Sequence, residues 1–70
     1  MKYIITDKNE CVLGGEDILH CDLAIGCKGK VIGAGHYRNR DGVIEVYGKS
    51  IGYGIKSKPG DLDFIEKELS

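Results

Sequence analysis

"KVIGAGHYRNRDGVIEVY", residues 30–47, decides the fold of this chain. Two runs rich in β-branched and aromatic residues flank Asn39-Arg40-Asp41-Gly42, and an Asp-Gly pair favours the tight primed turns whose twist matches that of paired strands. Lys30 to Arg38 and Val43 to Tyr47 are therefore expected to pair as an antiparallel hairpin. Period-two alternation puts Val43, Glu45 and Tyr47 on one face of the second strand and Ile44 and Val46 on the other. Glycines at 33 and 35 lie inside the first strand, where a residue without a side chain signals a bulge or a close backbone approach.

Working outward, Lys2-Tyr3-Ile4-Ile5-Thr6 reads as a strand, Asp7-Lys8-Asn9 as a turn, and Glu10 to Leu13 as a short return strand ended by Gly14-Gly15. Between Glu16 and Cys27 the pattern is ambiguous. Ile18, Leu19, Leu23 and Ala24 approximate a helical face, but Gly26 and Gly29 close it within about two turns. Towards the C-terminus, Ser57-Lys58-Pro59-Gly60-Asp61 reads as a helix start, with Ser57 as cap, Pro59 tolerated in the first turn and Asp61 near the positive end of the helix. Leu62, Ile65 and Leu69 are its expected buried stripe, with Phe64 beside it. The fold class is α+β: a small, mainly antiparallel β-sheet with a C-terminal α-helix packed on one face, a two-layer core.

Seventy residues make one domain, 1–70, of a size that buries roughly 60% of the surface its unfolded chain exposes. No apolar run reaches the length of a membrane span or a signal-peptide core, so no membrane partner and a cytoplasmic location are expected. A net charge of −1 argues against nucleic acid as a partner, because phosphate-backbone binding needs a concentrated positive field. The charges are nevertheless segregated. Lys28, Lys30, Arg38, Arg40 and Lys49 fall in the central stretch, and Asp61, Asp63, Glu66 and Glu68 near the C-terminus. That leaves room for a local anion site, although solvated strand and helix faces explain the same pattern. Cys11, Cys21 and Cys27 are an odd set with no C-x-x-C pair, so a disulfide framework is not expected. The spacing of His20, Cys21, Cys27 and His36 fits no common structural zinc pattern, and neither a metal nor another cofactor is implied.

"IEVYGKSIGYG", residues 44–54, contains a Gly-Lys-Ser triplet. It is not a P-loop: Val43 stands where that motif needs its first glycine, and the glycines after Ser50 would not open a helix. Instead, a glycine-rich turn with a hydroxyl can hold an anion through successive unpaired amides. Histidine titrates near neutrality and so both takes and gives protons, which makes His20, in "ILHCDL", the leading catalytic candidate. A structural histidine bonded to a nearby backbone group is the alternative. His36, by strand alternation in "GAGHYR", reads as a surface or sheet-face residue.

The order "KYII", "LHCDL", "GAGHYR" and "VYGKSIGYG", followed by a C-terminal helix, resembles the phosphohistidine phosphatase (Janus/Ocnus) family. That family has a lysine-bearing first strand, a His-x-Asp, a glycine-rich strand and a V-Y-G-x-S-x-x-[YF]-G stretch. The resemblance implies that His20 is the catalytic histidine and that Lys2, the amide of Cys21, Ser50 and the backbone of Gly52 hold phosphate. Such residues suit phosphoramidate hydrolysis, which needs stabilised equatorial oxygens, an oriented nucleophile and a proton for the departing imidazole. The segment after His20 is shorter than in that family, so the helix there is expected to be truncated or absent. The chain also resembles short prokaryotic and phage-borne proteins sharing "H-x-D…AG-x-x-R…VYG-x-S-x-x-x-G-x-x-S-x-P". Two function classes follow as expectations. One is phosphoryl-group hydrolysis or recognition of a phosphorylated protein or small anion; the other is a non-catalytic interaction or regulatory module, of which a homo-oligomer is one form.

Overall fold

The computed structural model describes residues 1–70. Five elements come first: β1 (Lys2–Thr6), β2 (Cys11–Gly14), the single helical turn α1 (His20–Leu23), β3 (Val31–Arg40) and β4 (Val43–Tyr47). A small hairpin of β5 (Lys49–Ser50) and β6 (Ile55–Lys56) follows, and then α2 (Asp61–Leu69). The main sheet has the strand order β2-β1-β3-β4, with every neighbouring pair antiparallel. The expected α+β architecture, with α2 packed on one face of the sheet, is the observed one.

The β3–β4 hairpin turns on two residues only, Asp41 at φ 51° and Gly42 at φ 89°. Both lie in the left-handed region that a primed turn requires. The Gly42 N–H donates to Asn39 Oδ1 at 2.9 Å, so Arg40 stays in the strand, opposite Val43. Of the two strand glycines, Gly33 adjoins the expected bulge, whereas Gly35 is crowded by side chains rather than by another backbone. The β1–β3 register slips between Ile5, opposite Gly33, and Thr6, opposite Val31; at Gly35 an added Cβ would lie 3.1 Å from the Tyr3 hydroxyl.

Alternation splits the sheet into two apolar faces. Tyr3, Ile5 and Tyr37 pack with Ile65 of α2, flanked by Cys11, Leu13, Ile44, Val46 and Phe64. Ile4 and Ala34 point the other way and pack with Leu23 of α1, flanked by Val12, Ala24, Cys27 and Ile55. The expected two-layer core is thus corrected. The second face carries its own apolar residues, and α1 with the β5–β6 hairpin covers it.

Two details of α2 also differ from expectation. Its N-cap is Gly60 with no side-chain cap, and the Ser57 N–H instead donates to the Gly48 carbonyl at 3.0 Å. The helix is anchored by Asp61, which is 6% exposed and accepts both the Tyr3 hydroxyl at 2.5 Å and the Lys58 N–H at 3.1 Å. With this carboxylate held against Tyr3 of the sheet, Asp61, Phe64 and Ile65 face inward and Leu69 is left 50% exposed. No helix is long and apolar enough to cross a membrane.

Candidate functional site

A cleft of about 590 Å³ opens on the face of the sheet that carries α1. Its walls bring together Lys2 of β1, Leu19, His20 and Cys21 at the start of α1, His36 of β3, and Lys49 to Tyr53 of the small hairpin. All five residues implied by the resemblance (Lys2, His20, Cys21, Ser50 and Gly52) line this one cleft, although up to 50 positions separate them in the chain. Sheet register accounts for part of this convergence. Lys2 faces His36, and His36 faces Tyr47, so three side chains form one row across β1, β3 and β4.

His20 is half-buried, and its Nε2 lies 2.8 Å from the Gly35 carbonyl oxygen. A carbonyl only accepts, so Nε2 carries the proton, and Nδ1, which meets no hydrogen-bonding partner in the chain, holds a lone pair when the ring is neutral. This anchoring is the backbone bond of the structural reading of His20, and it leaves the second ring nitrogen without a partner in the chain. The helix that begins at His20 is a single turn, His20–Leu23.

Backbone donors are available beside it. The amides of Cys21, Ile51, Gly52 and Tyr53 have no backbone partner, whereas the turn is closed by the Gly54 N–H donating to the Ser50 carbonyl at 2.8 Å. A Cβ at Gly52 would touch nothing within 4 Å, so packing alone does not require glycine there. The Ser50 side chain, expected to offer its hydroxyl to an anion, is enclosed in the free protein. Ser50 is 1% exposed, and its Oγ has neither solvent nor a hydrogen-bond partner. A buried hydroxyl in that state costs about 1–3 kcal/mol.

The charged side chains that line the cleft are of one sign, and the Glu16 carboxylate, which is not among the lining residues, bonds the lining His36. Lys2 and Lys49 are its ionised side chains, and no carboxylate is among the lining residues. The rest of the central basic stretch is used elsewhere: Arg38 and Arg40 pair with Glu45 at 3.2 and 3.5 Å, and Arg38 lies 5.4 Å over the Tyr47 ring. Lys28 and Lys30 sit in a loop whose amides are held by Glu10 and Asp7. The cleft mouth is apolar, with Leu19 60% and Ile51 86% exposed.

His36 belongs to the cleft as well, which its reading as a sheet-face residue did not anticipate. Its ring stacks on Tyr47 (centroids 5.5 Å apart) and meets His20 edge-on at 5.4 Å. Gly48, at φ 71°, admits it: a Cβ there would stand 2.9 Å from His36 Cδ2. The signal was present in the sequence, because a two-residue turn at Asp41-Gly42 sets Arg40 against Val43 and hence His36 against Tyr47. Although the two histidines adjoin, no three His, Cys, Asp or Glu side chains converge as metal ligands would. The chain matches no family model, no curated protein and no solved structure.

Proposed function

We propose that this protein binds a phosphoryl group in the cleft between His20 and the Lys49–Tyr53 segment and hydrolyses phosphoramidates, phosphohistidine foremost. The observation that carries this reading is the convergence of Lys2, Lys49, His20 and unpaired backbone amides from separate segments on one cleft that no carboxylate lines. Two ammonium groups and free N–H donors suit a dianion, and phosphoryl transfer depends chiefly on positioning and charge stabilisation. His20, fixed through Nε2, presents Nδ1 either to take a proton from the attacking water or to attack phosphorus itself. The likeness of "LHCDL" and "VYGKSIGYG" to the phosphohistidine phosphatases supports the same assignment.

The test is hydrolysis of phosphohistidine or phosphoramidate by the wild-type protein and by His20→Ala. Turnover that falls at least 100-fold in a folded His20→Ala variant is expected, in line with the contribution of a general base. Wild-type turnover no greater than the variant's removes the enzymatic reading. A second reading, recognition of a phosphorylated protein without hydrolysis, is favoured by the exposed Leu19 and Ile51 at the mouth. It predicts saturable phosphate binding with no turnover.

A further inference from the structure

We infer that His36 is a second catalytic residue of this cleft, the general acid that protonates the leaving group, and that Glu16 is the residue that positions it. The inference rests on the hydrolytic reading above and assigns it a residue which that reading leaves unused.

The geometry gives the two histidines opposite roles. His20 donates through Nε2 and keeps Nδ1 free; His36 engages Glu16 through Nδ1, at 3.2 and 3.4 Å from its two oxygens, and keeps Nε2 free. A carboxylate only accepts, so His36 carries a proton on Nδ1 whether the ring is neutral or charged. When charged, its second proton sits on Nε2 and can be given away without breaking the bond to Glu16. Glu16 is well placed to remain ionised, because its bond to the Met1 ammonium, and secondarily that to His36, hold it below the ordinary value of 4.5. The other groups facing His36 are Lys2 across the β1–β3 pair, Tyr47 stacked on the ring, and His20 edge-on. Stacking on Tyr47 and the tight fit over Gly48 hold the ring against rotation, so the orientation is built in before substrate arrives.

The chemistry balances with water as the only co-reactant. Water oxygen forms a bond to phosphorus while the P–N bond breaks. His20 Nδ1 takes a proton from the water, and His36 Nε2 gives one to the departing nitrogen, which leaves as neutral imidazole or amine. Inorganic phosphate departs, and the two histidines return to their starting states by exchange with solvent. A phosphoramidate nitrogen leaves poorly as an anion, so the proton from His36 lies on the reaction path. An ester with a stabilised leaving group, such as p-nitrophenyl phosphate, does not require it.

That contrast is the test. In His36→Gln, kcat for a phosphoramidate is expected to fall about 100-fold or more, the usual scale for loss of a general acid, and by at least about tenfold more than kcat for p-nitrophenyl phosphate. Glu16→Gln is expected to show a smaller split in the same direction, which a merely structural role would not produce. Equal losses on both substrates overturn the inference while leaving the hydrolytic reading intact, provided His20→Ala is inactive on both. A wild-type protein with no turnover overturns the inference and the hydrolytic reading together. Independently of turnover, long-range 1H–15N spectra of the wild-type rings at a pH where both are neutral should show Nε2–H for His20 and Nδ1–H for His36. The same tautomer at both positions contradicts the assignment.

Discussion

Ser50→Ala separates a binding hydroxyl from a structural one with particular clarity. In the free protein Ser50 Oγ is sealed from solvent and bonds to nothing. Its removal relieves a desolvation cost of about 1–3 kcal/mol. Against this stands the void left by one oxygen, roughly 15 Å³, which costs ~0.4 kcal/mol at about 24 cal/mol per Å³. The net is a stabilisation of about 0.5–2.5 kcal/mol. A domain of this size gains roughly 4–8 °C in Tm per kcal/mol, so thermal unfolding of the variant should shift upward by at least about 2 °C. Phosphate binding should change in the opposite sense. If the hydroxyl turns to a phosphoryl oxygen on binding, it forms a charge-assisted bond of about 1.5–3 kcal/mol, and its loss weakens Kd for inorganic phosphate about 10- to 150-fold. Calorimetric titration of both proteins, with melting curves on the same samples, measures the two effects. A fall in Tm would show that the hydroxyl is already satisfied in the free protein, and an unchanged phosphate Kd would remove Ser50 from the site.

Three further outcomes follow from other parts of the structure. Glu10 accepts the Thr6 hydroxyl and the Lys28 and Gly29 amides, which hold its carboxyl below the ordinary 4.5. Because the folded value is the lower one, this stabilisation is fully present above pH 4.5 and is lost as pH falls through the folded value. Glu10→Gln should therefore lower Tm at pH 7, with the gap to wild type closing in acid; a constant gap across that range argues against the linkage. Tyr3→Phe leaves buried Asp61 with the Lys58 N–H as its remaining partner, and urea unfolding should register a loss of about 1–3 kcal/mol. The double variant Tyr3→Phe with Asp61→Leu should lose less than the sum of its singles, whereas additive losses would deny the pair. Gly48→Ala places a side chain at φ 71° and 2.9 Å from the His36 ring, and should cost about 1–2 kcal/mol while shifting the His36 ring resonances. Unchanged His36 resonances would mean that the glycine does not set the ring.

How far the sequence spoke depended on the range over which each signal acts. The Asp41-Gly42 turn, the alternation of Val43 to Tyr47 and the strand of Lys2 to Thr6 are local, and they appear as read. The capping role of Ser57 and the inward Leu69 were misread because Asp61 is gripped by Tyr3, 58 residues away, and no pattern within the helix announces that bond. The second covered face depended on Ile4 and Ala34 meeting Leu23, again a contact between distant segments. Among the candidate residues, His20 and the turn from Ser50 to Gly52 were marked by type and spacing, and their meeting in one cleft supplies what spacing could not. Glu16, which orients His36, lies in the ambiguous stretch before α1 and carried no signal beyond its charge.

The most direct test of the phosphoryl-binding cleft is a titration of the 15N-labelled protein with inorganic phosphate, followed by amide chemical shifts. The account predicts saturable shifts concentrated at Cys21 and Ile51 to Tyr53, where the amides have no backbone partner, and their loss when Lys2 and Lys49 are replaced by Ala. Saturable shifts centred instead on the second cleft, beside Cys11 and Phe64, or no saturable shifts at all, would contradict it.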